Sequence, residues 1–494
     1  MKEQTVCLII PPSPFLLDER VMMSLGILKV AAAIEGNFPL QVLDLSGISN
    51  YEDVVENFAS QNDARIFCLT ATTPQMPAVK NIIAGIRQQQ PQARVILGGP
   101  HVTLCHTSMR RERHDGRIGR GHRNIIQLEN LADVLVAGDG EKAIWIALSP
   151  DPPKLIDADD PHSPLFLTAK DLASLPWPAR HLLDVESYRY TIDGVRALSM
   201  ISQLDCPYGC SFCGGRFSPS FRRMRSRQPE SIVAEMKHLF QTYGHTGFMF
   251  YDDELNVNPE LTNGLLREII RLSDQLGVEF RLRGFIKAQL FTEEQAALMY
   301  QAGFRWLLSG FESGSPEMLT AMNKRSTLEE NERCISIARD HGLKIKALMS
   351  LGHPGESPTT AAATKDWLFK TQPDDFDLTV ITVYPGTAYY DEAEILPGQS
   401  DVYVYSKNGI KLYSRDLDFL SVADFYKGDP NGGYESFVFT DLLSSDDIVR
   451  WRNEIDLELR SVLGLPFPTG AAAQKLEHSM GQRLPDHILR SSPA

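Results

Sequence analysis

The chain has 494 residues, of which 43% are hydrophobic and 23% charged, with a net charge of −14. This is the make-up of a globular protein of about three domain-sized units, long enough to bury more than one core. The acidic balance repels phosphate backbones and argues against a nucleic-acid partner. No run of about 18 apolar residues is present, so no membrane span is expected. The N-terminal stretch has too short an apolar run for a signal peptide.

Seven cysteines occur: Cys7, Cys68, Cys105, Cys206, Cys210, Cys213 and Cys334. A secreted disulfide scaffold would be short and would use cysteines in pairs, so a reducing cytoplasm is expected. The four scattered cysteines read as buried small hydrophobes or free thiols.

In chain order, VCLII (Val6–Ile10), LQVLDL (40–45), RIFCLTA (65–71), RVILGG (94–99) and DVLVAGDGE (133–141) are near-continuous apolar strands. Helical periodicities, among them 79–90, separate them. Such strands predict a parallel sheet covered on both faces, a doubly wound unit over residues 1–148. Small residues gather after its strands at Thr70–Thr73, Gly98–His101 and Gly138–Glu141, where such sheets hold ligands and where glycines also serve simply as turns. The basic run RRERHDGRIGRGHR (110–123) reads as a mobile surface loop, with a grip on an anionic ligand as the alternative. Residues 149–196 are proline-rich and read as a linker.

A second α/β series spans 197–390. Its strands are ALSMISQ, GFMFYDDE, VEFRLRG, RWLLSGFE, LKIKALMSLG and FDLTVITV, with helices at 230–243, 261–276, 292–302, 327–341 and 359–371. Six strand–helix steps predict a partial (β/α)6 barrel, short of the closed eightfold one, with chemistry at the carboxyl ends of its strands. Tyr384, His353, Arg283 and Asp253 lie at such ends and could touch substrate. Residues 391–494 form a smaller C-terminal extension with a helix near 445–462 and a tail expected to be poorly ordered.

Cys206-Pro207-Tyr208-Gly209-Cys210-Ser211-Phe212-Cys213 follows a strand. Structural zinc needs four ligands, usually as two separated pairs, and no second pair is evident. A redox Cys-x-x-Cys needs two cysteines, not three. Three thiolates in one tight loop suit three irons of a [4Fe–4S] cube, leaving the fourth iron open to a small molecule.

Cys-x3-Cys-x2-Cys with an aromatic before the last cysteine resembles the signature of the radical S-adenosylmethionine (SAM) superfamily. The resemblance implies that Cys206, Cys210 and Cys213 hold the cluster and that SAM binds the open iron. One electron then cleaves SAM to methionine and a 5′-deoxyadenosyl radical. It implies SAM contacts at Phe212 beside the adenine, at Tyr251 and Asp252 near the amino group, and at Glu312 with Ser313 at the ribose. LGHPGE and YPGT resemble later strand ends of that family.

Upstream, PP after the first strand, SLGILKVAAAIE, TATTPQMPAVKNII, ILGGPHVT and ADVLVAGDGEKAI resemble the cobalamin (B12)-binding domain, flavodoxin-like in fold, of one large subclass. This implies cobalamin contacts at Thr72, Gly98, Gly99, His101, Gly138, Gly140 and Glu141. The Asp-x-His-x-x-Gly pattern that supplies a lower cobalt ligand elsewhere is absent. His101 is the nearest substitute, and it is also a residue that shapes the Gly-Gly-Pro-His turn.

The function implied is a cobalamin-dependent radical SAM methyltransferase acting on an unactivated carbon of a small molecule, served by an electron donor such as flavodoxin or ferredoxin. The alternative is a radical cyclase, dehydratase or rearrangement enzyme, with or without cobalamin. A transfer-RNA methylthiolation enzyme would carry further clustered N-terminal cysteines. A bare iron–sulfur sensor would need no SAM-contacting strand ends.

Overall fold

The computed structural model describes residues 4–14, 16, 19–423 and 434–465. The first unit is a six-stranded parallel sheet of order β2-β1-β3-β4-β5-β6. Its strands are β1 (Val6–Ile10), β2 (Leu40–Asp44), β3 (Ile66–Thr70), β4 (Arg94–Gly98), β5 (Val134–Gly138) and β6 (Leu155–Ala158). Side chains alternate across a strand, so Cys7 and Ile9 of β1 enter one apolar layer while Val6, Leu8 and Ile10 enter the other. Helices α1 (Leu25–Ile34), α2 (Tyr51–Gln61), α3 (Met76–Gln89), α4 (Pro100–His114), α5 (Arg120–Leu131) and α6 (Gly140–Ala147) cover both faces. This is the doubly wound, flavodoxin-like unit expected.

Two readings of the sequence are corrected here. Within the stretch read as linker, 149–196, Leu155–Ala158 pairs in parallel with β5 as the sixth strand of this sheet. The basic run 110–123 is no single loop: it is the end of α4 and the start of α5, joined by the exposed residues 115–119. Glu112 accepts from the backbone N–H groups of Gly119, Gly121 and His122 at 3.0, 2.8 and 2.9 Å and so caps the start of α5. Arg120 is buried between the rings of Tyr390 and Tyr403, 3.7 and 3.6 Å from their centroids, and donates to the Tyr390 carbonyl at 2.7 Å.

The chain crosses to the second unit through α7 (Ala169–Ser174). The hairpin of β7 (Thr191–Ile192) and β8 (Val195–Met200) starts a sheet of order β15-β14-β13-β12-β11-β8-β7. Strands β11 (Gly247–Phe250), β12 (Arg281–Phe285), β13 (Phe304–Glu312), β14 (Lys344–Leu351) and β15 (Asp375–Val380) run parallel to β8. That is the partial six-step barrel expected, with β7 added antiparallel. A short ribbon of β9 (Gln203–Leu204) and β10 (Arg225–Ser226) brackets the cysteine loop. Helices α8 (Pro229–Tyr243), α9 (Pro259–Leu276), α10 (Glu293–Ala302), α11 (Pro316–Ala321), α12 (Leu328–Asp340) and α13 (Pro358–Thr371) wrap the outside. The C-terminal extension follows α14 (Ala388–Asp391) as an antiparallel sheet of β16 (Glu394–Ile395), β17 (Val402–Lys407), β18 (Ile410–Arg415) and β19 (Val438–Phe439), with α15 (Ser445–Leu463). The C-terminal tail lies outside the described residues.

Charge joins the two units. Arg225, buried in the second unit, donates two bonds to Asp205 at 2.9 and 2.7 Å, one to the Leu167 carbonyl at 2.7 Å, one to the Ser220 carbonyl at 2.9 Å, and one to Asp139 after β5. Asp159 after β6 is fully buried and accepts from Ser218 Oγ at 2.5 Å, Ser220 N at 2.9 Å and Arg110 at 2.7 Å. Burial pushes Asp139 up to about 6 and Asp205 up to about 8, with Arg225 pulling both back. Glu356 anchors the loop between β14 and α13. It accepts from Thr360 Oγ1 at 2.5 Å and Gly352 N at 3.3 Å, while its own carbonyl takes Thr440 of the extension at 2.8 Å.

Arg225→Ala is expected to cost on the order of 3–5 kcal/mol, because two acids stay buried without their partner; a thermal midpoint equal to wild type would show that the two units do not depend on it. Burial also pushes Glu356 from an ordinary 4.5 to about 7. Between those values the folded protein keeps a proton that the unfolded chain has released, so stability falls as pH rises through that window. Glu356→Gln should flatten the decline of the thermal midpoint between pH 4.5 and 7; an unchanged slope assigns the decline to another group.

Candidate active site

Both units turn the carboxyl ends of their parallel strands toward adjoining cavities. The largest, about 530 Å³, lies at the edge of the first sheet between the loops after β1, β2, β3 and β4. Its lining is apolar with scattered hydroxyl and amide groups, including Ser13, Ser46, Thr72, Thr73 and Gln75. Its one ionisable acid among the described residues, Glu19, accepts from Ser13 N at 2.6 Å and Gly47 N at 2.8 Å. Tyr251, Ile201 and Tyr384 of the barrel close it from the other side. Pro100 and Leu104 of α4 line this cavity and also the next one, of about 380 Å³.

That second cavity holds Cys206, Cys210 and Cys213 together with Phe212, Asp253, Glu254, Lys287, Glu312, Lys324 and Arg222. The cysteines are free thiols, and among the described residues no three His, Cys, Asp or Glu side chains converge on a single metal ion. A cube suits this arrangement, since it takes each sulfur at a different corner. Burial, with Glu254 next, pushes the Cys206 thiol up to about 12, so bound iron must supply the charge that makes a thiolate here. Arg222 spans the loop, donating to the carbonyls of Cys206 at 2.9 Å and Gly214 at 3.3 Å. Asn323 Nδ2 donates to the Gly209 carbonyl at 2.7 Å, Ser211 N to Met322 at 2.8 Å, and Ala388 N to Ser211 at 3.1 Å.

A third cavity, about 400 Å³, enters the barrel along β14 and β15 and shares Phe212, Cys213, Gly214 and Glu312 with the second. Glu312 sits where two cavities meet. It ends β13 at a register shift, with φ of 68°, a left-handed conformation that non-glycine residues rarely hold. Lys324 donates to its Oε1 at 2.9 Å and Ser350 to its Oε2 at 3.0 Å. A Cβ at Gly310 would collide with the Glu312 carboxylate and lie 2.9 Å from Lys324 Nζ, so this pair needs glycine there. Opposite, Glu254 is pushed up to about 7 by burial, with Lys324 and Lys287 opposing. The Lys287 ammonium is pulled down by burial and by Lys324, and it lies 4.2 Å from the Tyr208 ring centroid.

Of the residues singled out in the sequence, Cys206, Cys210, Cys213, Phe212 and Glu312 thus share one cavity, and Thr72 and Tyr251 line the larger one. Others are turned inward. Asp252 accepts from Ser202 N, Ser202 Oγ and Gln203 N at 2.7, 2.5 and 2.7 Å, which fixes the strand entering the cysteine loop. Asp253 and Glu254 face the cavity in its place. Ser313 Oγ is spent on Thr364 at 2.9 Å and on Ser315 N at 3.1 Å. His101 is buried, with Nδ1 3.1 Å from Thr73 Oγ1 and Nε2 3.5 Å from Cys105 Sγ, and burial pulls its pKa to about 3. Among the described residues no imidazole lines the sheet-edge cavity. Gly99, with φ of 94°, passes so close to Ala71 that a Cβ would lie 2.7 Å from its nitrogen. Gly98 packs on Val136, Gly138 on Ala158–Asp159 and Gly140 on Val30, while Glu141 pairs with Lys29 at 2.9 Å. These residues build the loops without reaching the cavity.

Lys287, Lys324, Arg222 and Ser350 carried no sequence signal, being single residues of common type. Glu254 closes the acidic triplet Asp252-Asp253-Glu254 at a strand end, of which the sequence assigned contacts only to Asp252 and Asp253.

Residues 200–368 match the radical SAM superfamily and residues 19–124 match the B12 binding domain. An uncharacterized methyltransferase of Pyrococcus horikoshii is 24% identical over 80% of this chain and 84% of its own length. The anaerobic magnesium-protoporphyrin IX monomethyl ester cyclase of Cereibacter sphaeroides is 24% identical over 69% of this chain and 55% of its own. Among solved structures, the radical S-adenosylmethionine methyltransferase TsrM of Kitasatospora setae, with cobalamin and a [4Fe–4S] cluster bound, superposes with a TM-score of 0.62 at 19% identity, covering 83% of this chain and 82% of that one. The chain belongs to the radical SAM superfamily, as an enzyme whose barrel is preceded by a B12-binding domain.

Proposed function

We propose that the protein is a cobalamin-dependent radical SAM methyltransferase acting on a carbon of a small molecule. The observation that carries this reading is the junction at Pro100 and Leu104, where the sheet-edge cavity adjoins the cysteine cavity. When bound, the reduced cluster and cobalamin supply SAM cleavage and methyl carriage, chemistry that no side chain provides. The chain's own residues do the rest. Cys206, Cys210 and Cys213 hold iron. Asp253 and Glu254 would face the SAM ammonium and Lys287 its carboxylate, opposite charges brought together in one cavity. Phe212 packs at the adenine, and Glu312 takes the ribose hydroxyls. Thr72, Thr73 and Gln75, with the backbone of the loops after β1, β3 and β4, would hold the cobalamin amides. A flavodoxin or ferredoxin supplies the electron, in a reducing cytoplasm that suits seven free cysteines. A ring-forming or rearranging reaction is the second reading, favoured by the relative named as a cyclase.

Anaerobic reconstitution with iron, sulfide and hydroxocobalamin should leave about four irons and a stoichiometric cobalt on the chain after desalting. A product one carbon heavier, carrying the labelled SAM methyl group, should follow. Iron without retained cobalt, or a product of unchanged carbon count, gives the second reading the lead. The triple Cys206→Ala, Cys210→Ala, Cys213→Ala variant should lose the iron. Gly310→Ala should displace the Glu312–Lys324 pair, at a cost of about 1–3 kcal/mol, and weaken SAM binding at unchanged iron content; wild-type affinity would show that Glu312 is not where SAM is held.

A further inference from the structure

His353 lies at a barrel strand end but lines none of the three cavities. It is fully buried, edge-on to Phe212 at 5.2 Å between ring centroids. Its Nε2 is 2.8 Å from Ser350 Oγ and its Nδ1 is 3.3 Å from the Tyr389 hydroxyl. Burial, with Lys324 next, pulls its pKa to about 3, so it is neutral and carries a single N–H.

The direction of each bond then follows from one end. Glu312 is ion-paired with Lys324, and a carboxylate only accepts. Ser350 must therefore spend its proton on Glu312 Oε2 and accept from His353 Nε2–H. This leaves Nδ1 as an acceptor, which takes the Tyr389 O–H. The chain runs Tyr389 to His353 to Ser350 to Glu312, every donor finding one acceptor. Tyr389 belongs to α14, and its ring packs 5.0 Å from that of Tyr405 in β17. The relay thus starts in α14, where Tyr389 packs against the C-terminal extension, and ends on a carboxylate at the junction of two cavities.

We infer that Ser350, His353 and Tyr389 are positioning residues that hold the Glu312 carboxylate in the orientation for the SAM ribose hydroxyls, so that α14, on which the C-terminal extension packs, sets nucleoside affinity. This rests on the reading of Glu312 as the ribose acceptor. With Oε1 tied to Lys324, loss of the Ser350 bond frees the carboxylate to rotate about that single tether.

The test is equilibrium dialysis of the cluster-loaded protein with SAM and with a SAM analogue lacking the ribose 2′- and 3′-hydroxyls. Ser350→Ala should raise the Kd for SAM on the order of tenfold, the scale of one lost charge-assisted hydrogen bond. Tyr389→Phe, which removes one oxygen at the far end, should raise it roughly threefold. Neither should change the Kd of the analogue or the iron content, and Ser350→Thr, which keeps the hydroxyl, should restore SAM affinity. Equal losses for SAM and the analogue, or wild-type SAM affinity in Ser350→Ala and Tyr389→Phe while Glu312→Gln binds weakly, overturn the relay. Wild-type affinity in Glu312→Gln overturns the ribose reading instead, and the relay with it.

Discussion

Between β9 and β10 the cysteine loop is held from outside. Within it the Cys213 N–H reaches the Cys210 carbonyl at 3.2 Å, and a few short turns follow at Ser218–Arg223. Three thiols can stay at separate corners of a cavity only if the backbone between them is fixed, and here the fixing groups come from across the fold. Arg222 ties the two ends of the loop, Asn323 and Ala388 brace its middle, and Asp159 and Arg225 pin its return. Two of the groups engaged, Asp139 and Asp159, belong to the first sheet. The B12-binding unit is thereby part of the scaffold of the cysteine cavity as well as a neighbour of it.

Charge is divided sharply between the adjoining cavities. Around the cysteines stand three acids, two lysines and an arginine, most of them buried or partly buried in opposed positions. Unpaired ions are costly out of water, so such a set persists because its members offset one another. A zwitterion such as the methionine end of SAM meets both signs at once. Among the described residues, the sheet-edge cavity spends its only acid on backbone amides and presents apolar side chains, hydroxyls and one amide. That lining suits a large uncharged ligand with amide edges and would leave an ionic one unsolvated.

Helix α14 and the C-terminal extension together close the assembly. Arg120 of the first unit is clamped between Tyr390 and Tyr403, Thr440 reaches the Glu356 loop, and Tyr389 reaches His353. Each contact joins residues hundreds of positions apart or spends a polar group of one unit on another. A segment without a readable motif is in this way coupled to both cofactor-facing units.

The sequence by itself determined five of the six strands of the first sheet, the six parallel strands of the barrel and the cysteine triad, because periodic burial and a local three-thiol spacing are written in consecutive residues. It also marked Phe212 and Glu312 by their motifs. What it could not decide is which way a side chain at a strand end turns. Asp252 and Asp253 are adjacent, yet one fixes the backbone of Ser202–Gln203 and the next lines the cavity. His101 and His353 both follow strands, and both are drawn inside by hydroxyl partners far along the chain. Lys324, Lys287 and Ser350 acquire meaning only when folding brings them to Glu312 and the cysteines. Local periodicity sets elements, whereas the cost of burying each polar group without a partner sets where it points, and those partners are chosen by tertiary structure alone.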